Sequence, residues 1–193
     1  MSITIYTFSK KRSVSVGYSH YTTLPRFAEV DAVGYRQALP ALRDIGERYR
    51  KTLAYSLGQP KKPPQIDTNG IFLNGRGEAG YETFSFRLPP LDAKPEAVEF
   101  PIREFCKTNY KDYDIVVCEM LLILKTYLPN IEIDSDGFSG YLEDAERDPM
   151  AVLDGSWPQA IENVKRYNVT TTVSIKERRA PYCDLKVEPI LSG

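Results

Sequence analysis

Histidine is all but missing: His20 is the only one in 193 residues. A histidine-rich metal site therefore cannot be built within one chain. Any Ser-His-Asp or Cys-His arrangement would have to use His20, which sits in the polar run Tyr18-Ser19-His20-Tyr21 and reads as a surface or hydrogen-bonding residue. Cysteine is scarce too. Cys106, Cys118 and Cys183 are odd in number and widely spaced, with no C-x-x-C pair. Neither a disulfide framework nor a structural zinc site is suggested by that pattern. No apolar run approaches the roughly 20 residues that cross a bilayer, and the opening MSITIYTFSKKRS lacks a signal peptide's apolar stretch. The expectation is a cytoplasmic protein with no membrane partner.

What is present is ordinary for a globular chain: 42% hydrophobic and 26% charged residues. The length suits one domain spanning residues 1–193. The net charge of −1 hides an asymmetry. Residues 1–65 hold 11 Lys/Arg against 4 Asp/Glu, and the remainder 14 against 22. A basic first third could face an acidic partner. With 13 tyrosines it also raises single-stranded nucleic acid, which the near-neutral total makes the weakest reading.

Three segments alternate as β-hairpins. Around residues 2–18, Ile3 and Ile5 answer Val14 and Val16. Around 70–88, Ile71-Phe72-Leu73 answers Phe84, Phe86 and Leu88. Around 169–188, Val169, Thr171, Val173 and Ile175 answer Cys183, Leu185 and Val187. Clean alternation predicts antiparallel sheets with one buried face. Leu42, Ile45, Tyr49, Leu53 and Leu57 have helical spacing between Pro40 and Gly58. Residues Tyr113–Leu128 form an almost wholly apolar helix, with Asp112 or Asp114 as cap and Pro129 as stop. A last helix opens on Ser156-Trp157-Pro158-Gln159, a capping-box pattern. The predicted fold is α+β: antiparallel hairpins, about six to seven strands, packed with three to four helices around a central apolar helix.

Several sites could carry chemistry. Gly75-Arg76-Gly77-Glu78-Ala79-Gly80 matches G-x-G-x-x-G, which makes Arg76 a binding candidate. A strand, not a helix, follows it, so the glycines read as turn formers. Glu132, Asp134, Asp136 and Glu143, with Gly137 at position six, have the spacing of a calcium loop. No cofactor is expected; calcium or magnesium there is the alternative. Glu119 is the best acid–base candidate, because its neighbours at three and four residues are all apolar. The competing reading puts it on a polar line with Asp112 and Thr126. Cys106-Lys107-Thr108 sets an ammonium beside a thiol, and Lys107 and Thr108 join Asp136 as binding candidates. Glu119, Lys107 and Asp136 can share a pocket only if the strand after Pro129 runs back along the helix. The expectation is a protein that binds a protein partner or itself, with a carboxylate-based enzyme centred on Glu119 as the alternative.

Overall fold

The computed structural model describes residues 18–26, 29–89 and 100–192. The hairpin expected around residues 2–18 lies outside them, apart from Tyr18. In chain order the elements are β1 (Ser19–Leu24), α1 (Glu29–Arg48), β2 (Leu53–Ala54), β3 (Gln65–Asp67), β4 (Gly70–Gly75), β5 (Phe84–Arg87) and β6 (Ile102–Lys107). There follow α2 (Asp114–Tyr127), β7 (Glu132–Ser135), β8 (Ser139–Tyr141), α3 (Leu142–Arg147), α4 (Trp157–Val164), β9 (Val169–Arg179) and β10 (Tyr182–Leu191).

The architecture is α+β with antiparallel sheets. One sheet runs β6-β1-β7 and a second β8-β10-β9; the third runs β2-β4-β3, with β5 also on β4. The hairpins expected at 70–88 and 169–188 form as β4–β5 and β9–β10. α2 packs against α1, α4 and β10, and ten of its residues, from Asp114 to Leu124, are buried. Its burial on several sides explains its near-uniform apolarity. One apolar cluster joins it to residues of all three sheets, including Ile71, Cys106 and Leu185.

The first helix differs from its prediction at both ends. Periodicity extends backwards through Tyr35 and Ala38, both buried, and Pro40 sits inside the helix on an exposed face. The helix stops at Arg48 because Leu53 pairs with Gly75 in β2 and is wholly buried there. Leu57, counted as the last helical apolar residue, is 56% exposed. Neither Asp112 nor Asp114 caps α2, whose N-cap is Tyr113, and Ser156 makes no capping bond to α4. Among the strands without a clean signal are β1, which reads as polar, and β6, which follows the expected connector.

Gly77 adopts φ +60, the left-handed turn conformation expected of that segment. A Cβ at Gly75 would lie 2.1 Å from the Ala79 carbonyl oxygen, so that position needs glycine for close approach.

Candidate functional site

Two polar centres hang from α2. The first is built on His20, which β1 carries into the core. His20 is 1% exposed, and its Nε2 lies 2.7 Å from Asp114 Oδ1. Its Nδ1 lies 3.0 Å from Ser135 Oγ. Ser135 Oγ also accepts from Trp157 Nε1 at 3.0 Å and from the Gly137 N–H at 3.1 Å. Those two donors fill its lone pairs, so its own hydrogen goes to Nδ1, the nearer of its acceptors. His20 then carries its hydrogen on Nε2 and donates to Asp114. Asp114 also accepts from the Thr108 hydroxyl and from the Ser156 N–H. Burial works to raise the Asp114 carboxyl, but the bonds from His20, Thr108 and Ser156 more than offset it and hold it below its usual value.

These are the residue types of a hydrolytic triad, but they are not arranged to attack. The serine oxygen is buried and both its lone pairs are engaged. Cys118 Sγ stands 4.0 Å from His20 Nε2 and 3.9 Å from Asp114 Oδ2. Among the described residues, His20, Asp114 and Cys118 are the group whose metal-capable atoms converge, within 4.8 Å of one another. Zinc bound tetrahedrally at about 2.0 Å would hold its N and O ligands roughly 3.3 Å apart. The observed 2.7 Å is a hydrogen-bond length. Burial, with Asp114 and Glu119 nearby, pushes the Cys118 thiol far up. As placed, the group is a hydrogen-bonded lock.

The second centre is Glu119, wholly buried rather than on a water-facing line with Asp112 and Thr126. Oε2 accepts from Arg48 Nη2; Oε1 accepts from the Tyr49 hydroxyl at 2.8 Å and Asn163 Nδ2 at 2.6 Å. Arg48 also donates to Tyr167, whose hydroxyl donates to Asp44 at 2.5 Å. Burial alone would lower the Arg48 pKa, but Glu119 raises it on balance. Burial and then Glu119 raise Tyr49. Glu119 thus ties α2 to α1 and α4, and it is already ion-paired.

The strand after Pro129 does run back along α2. Lys125 near the helix end donates to the Ile131 carbonyl, while Ser135 reaches the His20–Asp114 pair near the helix start. Asp136 then accepts from the Ser19 N–H at 2.8 Å, and Ser19 pairs in register with Lys107. Asp136 and Lys107 therefore flank Ser19 from opposite sides at one end of β1, whereas Glu119 is taken up by Arg48, Tyr49 and Asn163. Thr108 serves Asp114. Arg76 donates to the Leu53 carbonyl at 3.1 Å and so holds backbone. Burial pushes the Cys106 thiol up to about 12, which leaves no thiolate for Lys107 to stabilise. Of the calcium-loop acids, Glu132 and Asp134 lie on β7, and Glu143 pairs with Arg147 at 2.5 Å. Those carboxylates do not converge as a metal-capable group.

A cleft of about 470 Å³ opens between β7 and β10. Its walls include Glu132, Ile133 and Asp134 from β7 and residues 185–188 from β10. Successive residues of a strand point to opposite faces. Walls made of consecutive residues therefore present strand edges, while Tyr21 and Thr23 of β1, two apart and paired with Asp134 and Glu132, add part of a sheet face. Phe138 and Lys125 also line the cleft, as do Tyr21 and Lys176. Lys176 is the residue skipped by the register shift between Ile175↔Leu185 and Glu177↔Asp184, a bulge. Burial lowers the Lys125 pKa, partly offset by Glu188 and Glu132. Sequence reasoning missed this cleft, because its two walls are more than fifty residues apart in the chain.

No helix among the described residues is long and apolar enough to cross a membrane. No protein-family model matches the chain, and neither a curated protein nor a solved structure was found to match it.

Proposed function

We propose that the protein is a binding protein whose site is the cleft between β7 and β10. The carrying observation is the cleft itself: a concavity of about 470 Å³ walled by strand edges that pair with no further strand among the described residues, and lined by both lysines and carboxylates. Concave sites with a few placed polar groups are where ligands bind. The two buried centres support the same reading from the other side. The acceptors of Ser135 and Asp114 are engaged within the protein, as are those of Glu119, which suits holding the fold better than turning over a substrate. Three unpaired, buried cysteines fit a reducing compartment and support a cytoplasmic setting.

The test is a fragment titration of isotope-labelled protein followed by methyl chemical shifts. The binding reading expects hits whose shifts centre on Ile133, Leu185 and Val187. Fragments that bind only elsewhere, or nowhere, would remove it.

A further inference from the structure

Hydrogen-bond parity shows which backbone groups face the cleft. In an antiparallel ladder alternate residues turn both their N–H and C=O to one side. The Leu185 N–H donates to the Phe138 carbonyl at 2.7 Å, so odd-numbered residues of β10 turn away from β9. Among the described residues, that edge is paired by β8 at Tyr182, Cys183 and Asp184 and not beyond. Val187 therefore turns its N–H and C=O into the cleft. Pro189 has the same parity, which is where a strand tolerates a residue with no N–H. On the opposite wall the Asp136 N–H donates to the Ser19 carbonyl, so even-numbered residues of β7 serve β1. Ile133 is then the residue whose N–H and C=O face the cleft.

Half-buried backbone groups of this kind call for partners. β7 and β10 do not pair, and their Cα atoms lie for the most part more than 8 Å apart. One inserted strand needs about 9.6 Å, twice the usual spacing of 4.8 Å. The apolar side chains of Ile133, Leu185 and Phe138 line the gap; of its charged lining, Lys186 and Glu188 pair with each other, and Lys125, Lys176, Glu132 and Asp134 make up the rest. No ion pair engages Glu132 or Asp134 among the described residues.

We propose that the cleft takes an extended peptide by strand addition, pairing with Ile133 on one side and Val187 on the other. The peptide places one aliphatic side chain inward and a flanking basic one against Glu132 and Asp134. This rests on the cleft being the binding site. Backbone pairing supplies affinity here, and the inward and flanking positions supply selectivity.

The experiment selects binders from a displayed random dodecapeptide library on the intact protein, then synthesises the enriched peptides. Enrichment of an aliphatic residue flanked by lysine or arginine is expected. N-methylation at either of the two central residues should weaken binding tenfold or more, and at the peptide ends less than twofold. Val187→Pro removes a cleft-facing donor while leaving the β9 ladder intact; it should weaken binding by a similar factor. Should that variant melt early, the N-methyl series on the unaltered protein decides alone. No enriched peptide, or central N-methylation without effect, overturns strand addition. Fragment shifts centred on Ile133 and Val187, beside peptides indifferent to N-methylation, would leave the cleft as the site and remove only this mode of binding.

Discussion

Glu119 and Arg48 offer the sharpest energetic test of the fold. Glu119 is wholly buried and accepts three hydrogen bonds, while Arg48 is 23% exposed. Replacing Glu119 with Gln keeps the shape but sets an amide NH2 against donors. If the amide oxygen serves Arg48, the NH2 faces the Tyr49 hydroxyl and Asn163 Nδ2; reversed, it faces Arg48. A hydrogen bond to a charged group contributes about 1.5–3 kcal/mol, and a stranded buried donor costs about 1–3 kcal/mol. Tyr49 can turn its hydroxyl to accept, and solvent screens Arg48 in part. The lower half of the summed range is therefore appropriate, about 3 kcal/mol. For a chain of this size that lowers the melting temperature by roughly 6–12 °C. Urea denaturation of the wild type, Glu119→Gln, Arg48→Met and the double variant gives the coupling directly, expected at about 2 kcal/mol. Single-variant losses that add to within about 0.5 kcal/mol, or a Glu119→Gln midpoint equal to wild type, would refute the reasoning.

Other consequences are equally measurable. Ser135→Ala strands the Trp157 indole N–H and the Gly137 N–H in the core; a loss of about 3 kcal/mol is expected, and a tryptophan-fluorescence unfolding midpoint unchanged from wild type would count against the lock. Gly34→Ala gains about 1 kcal/mol of helix propensity, but its Cβ would lie 2.1 Å from the Tyr127 carbonyl oxygen. Backbone cannot retreat cheaply, and overpacking costs about 1–3 kcal/mol, so the variant should melt below wild type; a higher melting temperature would show α1 and α2 to be looser than described. Asp114 has a folded pKa below its unfolded one, so its contribution is complete above the unfolded value and fades as pH falls through the folded one. The stability gap between wild type and Asp114→Asn should accordingly shrink as pH falls below about 4; a gap that does not shrink in acid would contradict the assignment.

The legible parts of this fold are those where one physical demand dominates the local sequence. β9 and β10 alternate because one face is wet and the other dry. α2 is apolar throughout because it is enclosed on several sides. β1 was illegible because Tyr18, Ser19 and His20 are all buried in succession, which erases alternation. β6 was illegible for the opposite reason: Arg103 and Phe105 both face water, so an aromatic sits where a polar residue is expected. The helix-end error at α1 arose because Leu53 has helical spacing from Ile45 and Tyr49 yet is buried by a strand pairing twenty-two residues away. Of the site residues, Glu119 was visible as a carboxylate inside an apolar run. Its partners were not, since Arg48 and Asn163 come from other helices. Nor does anything near His20 announce Asp114 or Ser135, which the fold brings from over ninety residues away.

An apolar rod enclosed by apolar neighbours can turn about its axis or slide along it at little cost, because one greasy surface resembles the next. α2 is denied both freedoms by its two carboxylates. Asp114 and Glu119 are five positions apart, which on a helix means about 140° of rotation and 7.5 Å of rise. One is fastened to His20 of β1, the other to Arg48 of α1 and Asn163 of α4. Two anchors at different azimuths and heights leave a single setting of the helix that satisfies both. Since β7 and β10 both pack on α2 and Lys125 of α2 lines the cleft, the same pair of anchors holds the one element on which both walls of the cleft rest.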